Sequence, residues 1–241
     1  VTEPVTEPSP PNASLWEDFI DIFTSPSAVF RRRINSGYGV QLLVTTVIFA
    51  LLVLGTKALF QPVMDAEAAR AVARALHANP QLTAEQMQKN VEIGLSFGVY
   101  IQIIIVPIVV LLTGLVTWAV GKLFESVQSL QSAMMVSTYA MFIKLPGLVT
   151  AAIIAYFSDP ARLNGAARVT LGLGAFLDPD KSSPLLVGLL TRVDVFTIWQ
   201  TILLAIGLQV TGKVSKSQSY FAAVIIWLMG ALPAVLGALR S

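Results

Sequence analysis

Long apolar runs alternate with polar segments along the chain, and their spacing sets its architecture. Runs over residues 38–60, 95–120, 134–157, 195–211 and 220–239 fall in the length range of a membrane-crossing helix. Two polar excursions separate them, one from Met64 to Gln88 and one from Ser158 to Arg192. The pattern predicts an all-α integral membrane protein with five transmembrane helices. Pro107 stands inside the second run, where a missing amide donor predicts a bend, and Pro146 and Pro233 stand inside the third and fifth. Gly94 and Gly98 have the spacing of a small-residue helix contact.

Ahead of the first run lies a different pattern. Leu15, Trp16, Phe19, Ile20 and Phe23 recur at helical spacing while Glu17, Asp18 and Asp21 occupy the other face. Ser14 with Glu17 forms a capping box, and Ser25-Pro26 stops this helix and starts a second. The pattern predicts an N-terminal amphipathic interfacial helix, with residues 14–33 as a juxtamembrane segment. Trp16, Phe19, Phe23 and Phe30 would lie at the membrane interface with Arg31, Arg32 and Arg33 on anionic lipid headgroups. Residues 1–13 repeat Val-Thr-Glu-Pro and read as a disordered, polar, proline-rich tail, which leaves 34–241 as the five-helix membrane domain.

Basic residues orient the chain. Arg31, Arg32, Arg33, Lys122, Lys213 and Lys216 fall on one side in tight connections, whereas the other side spreads its basic residues through the two long excursions. Short loops count most, so the amino terminus is expected in the cytoplasm and the carboxyl terminus on the opposite side.

Composition narrows the chemistry. With 55% apolar and 12% charged residues and a mean hydropathy of +0.72, lipid is the solvent for most of the chain. The absence of cysteine excludes disulfides and thiolate chemistry, and the single histidine, His77, leaves little for a metal or a catalytic triad. Neither cofactor nor metal is expected, and the net charge of +2 is too scattered for nucleic acid. Gly207 to Val214 imitates a phosphate-binding loop, but Val214 stands where magnesium needs a hydroxyl.

The aromatic segment from Trp16 to Phe23, then Ser25-Pro26 to Phe30 ahead of five spans, resembles the Yip-domain family of Ypt-interacting proteins, particularly its bacterial members. Ala175 to Pro179, Val193-Asp194 through Trp199, and Leu204 to Gly207 are similar to the second half of that domain. The resemblance covers nearly the whole chain. It implies a five-span fold and, for eukaryotic relatives, Golgi and endoplasmic reticulum membranes, Rab-type GTPase binding and vesicle formation. For a bacterial member it implies the inner membrane. Those eukaryotic relatives carry Asp-Leu-aromatic-Gly-Pro before the first span, whereas Asp21 to Pro26 here has no glycine and one extra residue.

The candidate intramembrane polar site is Lys144 with Pro146 and Gly147, which interrupt the third run, together with Asp194 and Gln200. An ionisable group inside a span usually faces protein or water. If Pro146-Gly147 opened the helix, freed carbonyls and the ammonium would line a polar cavity. The leading expectation is a non-enzymatic protein that organises membranes or binds other proteins, through the bilayer, protein partners or a second copy of itself. The alternatives are a small transporter or channel built on Lys144 and an accessory subunit of a membrane complex.

Overall fold

A computed structural model describes residues 14–78, 81 and 83–238. The tail 1–13 lies outside the described residues. Two short helices, α1 (Leu15–Thr24) and α2 (Pro26–Arg33), precede α3 (Gly39–Thr56). A 3₁₀ turn at Lys57–Phe60 leads into α4 (Gln61–Ala78), and α5 (Ala84–Lys122) returns across the molecule. There follow α6 (Leu130–Phe142), α7 (Lys144–Phe157), α8 (Pro184–Thr191), α9 (Val195–Gly212), α10 (Lys216–Met229) and α11 (Leu232–Ala238). Five segments are long and apolar enough to cross a membrane: Gly39–His77, Phe97–Lys122, Leu130–Phe157, Val195–Gly212 and Lys216–Gly237. The protein is an all-α integral membrane protein, and its five spans correspond to the five apolar runs.

Proline sets two of the breaks. Pro146 has no amide hydrogen to give to the Phe142 carbonyl, and α6 ends at Phe142. Pro233 stands in the same relation to Met229, where α10 ends. Pro107 interrupts nothing, since α5 continues through it. At 39 residues, α5 is roughly 58 Å long, about twice the hydrocarbon thickness. Its first turns therefore stand outside the bilayer against α4, so the first polar excursion is a helical hairpin.

The core is built on α6 and α9. Met135, Val136, Tyr139 and Ala140 of the former pack with Leu203, Leu204 and Leu208 of the latter. Missing side chains let the backbones approach. A β-carbon on Gly207 would collide with Val136, and one on Gly114 of α5 would lie 3.0 Å from the Met134 Cα. Ser137 also donates to the Val110 carbonyl at 2.9 Å, tying α6 to α5. Gly94 and Gly98 have open space around them, so the close contacts fall on other glycines than the sequence spacing suggests. Outward-facing Leu43, Leu51, Phe97, Ile104, Leu112 and Phe221 form the lipid-facing surface.

The two groups of basic residues occupy opposite ends of the bundle. At one end the Val127 amide bonds to the Gly212 carbonyl at 3.0 Å, and Ser132 donates to the Ile34 carbonyl at 2.8 Å. These bonds gather the ends of α2, α5 and α9. At the other end, Arg70 of α4 pairs with Asp180 at 3.1 Å, and Glu67 accepts from the Ala166 amide at 3.1 Å. The two polar excursions thus dock on each other.

Candidate functional site

Two clusters of charged side chains lie within the bundle, and local sequence builds each. Around α1, the Glu17 amide donates to Ser14 Oγ at 3.2 Å and the Ser14 amide to the Glu17 carboxylate at 2.6 Å, which completes the capping box. Ser25 then ends α1, its amide bonding to the Asp21 carbonyl, and Pro26 opens α2. The two helices close into a hairpin because their charges match. Arg32 Nε lies 2.5 Å from Asp18 and its Nη2 2.6 Å from Asp21, while Arg33 Nε lies 2.5 Å from Asp18. The Tyr139 hydroxyl of α6 donates to Asp18 at 3.0 Å, so this carboxylate, wholly shielded from solvent, ties hairpin to bundle. Partial burial works to lower the Arg32 pKa. Hydrogen bonds to Asp21 and Asp18 outweigh it and raise the pKa above the ordinary value.

In this arrangement the aromatic side chains expected at the interface meet protein. Phe19 is 3% exposed and Phe30 is 0% exposed, both inside the protein core. Phe19 stacks on Phe142 with centroids 4.4 Å apart, and Phe23 meets Trp199 edge-on at 5.6 Å. Between the Ser132 contact and the Phe142 contact, the hairpin follows α6 for roughly 15 Å, about half the hydrocarbon thickness. Amphipathic spacing says only that one face is buried; it does not distinguish lipid from protein. With Asp18, Asp21, Arg32 and Arg33 paired inside the hairpin, its apolar face packs on helices. Trp16, 65% exposed, Ile20 and Arg31 face outward, so of the three arginines only Arg31 is wholly turned away from the hairpin's ion pairs.

The second cluster lies at the start of α9. Asp194 caps that helix, its Oδ1 accepting from the Phe196 and Thr197 amides at 2.9 and 3.1 Å and its Oδ2 from the Thr197 hydroxyl. Lys144 donates to Thr197 Oγ1 at 2.5 Å and lies 4.0 Å from Asp194. The structure therefore brings Lys144 and Asp194 together. Gln200 is elsewhere, donating to the Met141 sulfur at 3.6 Å. Beside the helix break, Gly147 is packed against α9. A β-carbon on Gly147 would lie 3.0 Å from the Phe196 ring.

Arg192 borders this second group. It donates to the Trp227 carbonyl at 3.0 Å and lies 5.6 Å over the Trp227 ring. Burial pushes its pKa below the ordinary value, with Asp194 acting in opposition. Tyr139 and Thr197 are the residues that sequence reasoning missed. A hydroxyl in an apolar helix carries no pattern of its own, and only its spatial neighbours reveal it.

Among the described residues, two hollows at the surface are not lined by Lys144. One, of about 470 Å³, includes Ser158, Arg162, Asn164 and Arg168. The other, of about 260 Å³, is an apolar furrow between α9 and α10 that includes Ile202 and Trp227. Among the described residues no group of three histidine, aspartate or glutamate side chains is placed to hold a metal.

Comparison with known proteins agrees with this architecture. The chain is 30% identical over 147 residues to "Membrane protein YknW" of Bacillus subtilis (strain 168), a match covering 61% of this chain and 60% of that protein. The chain thus matches less than two thirds of that relative's length, and no solved structure matches. The model of the Yip1 domain matches residues 20–238, which takes in the buried hairpin from Ile20 onward, all five spans and both polar excursions. The chain belongs to the Yip1 domain family.

Proposed function

We propose that this membrane protein is not an enzyme and acts by organising the bilayer or by associating with other membrane proteins. One observation carries the proposal: the central charged groups of the two clusters are engaged by the protein's own side chains. Asp18 holds Arg32, Arg33 and Tyr139, and Lys144 holds Thr197 beside Asp194. A carrier needs polar groups that exchange protein partners for solute. The lipid-facing surfaces of α3 and α5, by contrast, present continuous apolar area through Leu43, Leu51, Ile104 and Leu112. Lateral partners, including a second copy, meet such a surface without desolvating charge.

The basic residues at the α2, α5 and α9 ends support a cytoplasmic amino terminus. Arg31 is the residue of its run best placed to meet anionic lipid there. Asp21 to Pro26 forms the turn of a docked hairpin, so GTPase binding is left outside the proposal.

Reconstitution into proteoliposomes separates this reading from a transporter. Proton, sodium and potassium flux should match protein-free vesicles, and a photo-crosslinker at Leu51 or Ile104 should trap protein partners in native membranes. Flux that Lys144→Met abolishes would replace the proposal with a carrier whose site is the Lys144 and Asp194 pair.

A further inference from the structure

Where α7 ends at Phe157, the chain turns into the 470 Å³ hollow, which two guanidinium groups line and no carboxylate does. We propose that this hollow binds the headgroup phosphate of an anionic membrane phospholipid. Its volume suits a small polar group, within the usual range of about 300 to 1,000 Å³ for ligand pockets. Arg168 is held in place by neutral acceptors, the Asn164 side chain at 3.2 Å and the Ala175 carbonyl at 3.0 Å, so its charge is oriented without being consumed by an ion pair. Arg162 is exposed and makes no side-chain hydrogen bond or ion pair among the described residues.

The neighbouring carboxylates are engaged mainly elsewhere, although Asp178 also feels the Arg168 charge. Asp159 caps the Ala161 amide at 3.0 Å. Asp178 accepts from the Asp180 amide at 3.0 Å and pairs with Lys181 at 3.4 Å. The hollow therefore keeps an excess of positive charge, and guanidinium groups match phosphate oxygens in geometry as well as sign.

Its rim selects a lipid over a soluble anion. Tyr156 and Phe157 close the last turn of α7, 68% and 81% exposed, and Phe176, next to the lining residue Ala175, is 84% exposed. Aromatic side chains at the end of a span sit at headgroup level. The cationic hollow is thus set at the height where phospholipid phosphates lie, with rings beside it to cover the glycerol and upper acyl chain. The assignment does not depend on the proposed function.

Native mass spectrometry of the whole chain in mild detergent, titrated with phosphatidylglycerol and with phosphatidylcholine, tests it. The wild-type chain should retain phosphatidylglycerol in preference, and Arg162→Gln should weaken that retention about fivefold while phosphatidylcholine is unaffected. The Arg162 side chain serves no internal bond, so thermal unfolding of this variant should match wild type. Phe176→Ser should also lower lipid retention, and excess inorganic phosphate should displace little lipid. Equal phosphatidylglycerol retention by Arg162→Gln and wild type would overturn the proposal. Displacement of the lipid by inorganic phosphate would do so too, by making a free anion the ligand.

Discussion

The two buried charged clusters use similar residues to different ends. Around Asp18, two carboxylates meet two guanidiniums and a phenol, and the central carboxylate is inaccessible to solvent. Around Asp194, one carboxylate first caps a helix and then reaches a single ammonium at 4.0 Å, with both side chains partly exposed, 13% and 28%. The first cluster joins three helices and holds a hairpin against the core. The second caps the start of α9 and ties it to Lys144 at the start of α7. Charge buried without access to water must be matched nearly completely, and that requirement makes the Asp18 cluster a determinant of tertiary structure. A partly hydrated pair is free of it.

Mutations should separate the two along a graded scale. Asp18→Ala leaves Arg32 and Arg33 without their shared carboxylate and should cost about 3 to 5 kcal/mol, seen as a lower unfolding temperature in detergent and new tryptic cleavage at Arg32 or Arg33. Phe19→Ala opens a cavity against Tyr139 and Phe142 and should cost about 3 kcal/mol by the same thermal assay. Asp194→Ala removes the α9 cap as well as the Lys144 pair. About 1 to 2 kcal/mol is expected, with faster amide exchange at Phe196 and Thr197. Lys144→Met should cost less than about 1 kcal/mol in chemical denaturation, since its partner is partly hydrated. Trp16→Ala, on the outward face of α1, should leave the unfolding temperature unchanged.

Much of this fold is legible in the sequence because lipid imposes few alternatives. Apolar length gives the spans, Ser14 and Glu17 give the start of α1, and Pro26 gives the start of α2. The i−4 relation of Pro146 to Phe142 and of Pro233 to Met229 accounts for two helix ends. The fate of the hairpin is less legible, because burial in lipid and burial in protein demand the same apolar face. A clue was present in the charges. Asp18 and Asp21 on one short helix, with Arg32 and Arg33 on the next, form a complementary set across a proline turn, which favours a closed hairpin over one spread on headgroups. Lys144 and Asp194 were legible as candidate polar residues but not as partners, since Asp194 precedes its apolar run and reads as solvated at an interface. Thr197 was not, since its role depends on the α6 to α7 junction meeting the start of α9. The cationic hollow escaped detection because Arg162 and Arg168 sit in an irregular segment whose shape no periodicity encodes.

The placement of the hairpin inside the bundle is the claim on which the rest turns, and the natural absence of cysteine allows a direct test. Cysteines placed at Phe19 and Phe142, whose rings stack at 4.4 Å, should crosslink within one chain in native membranes when treated with a short thiol-specific reagent. Cysteines at Trp16 and Phe142 should crosslink far less. Failure of the Phe19 and Phe142 pair to crosslink, with each thiol reactive on its own, would contradict the account and return the aromatic segment to the membrane surface.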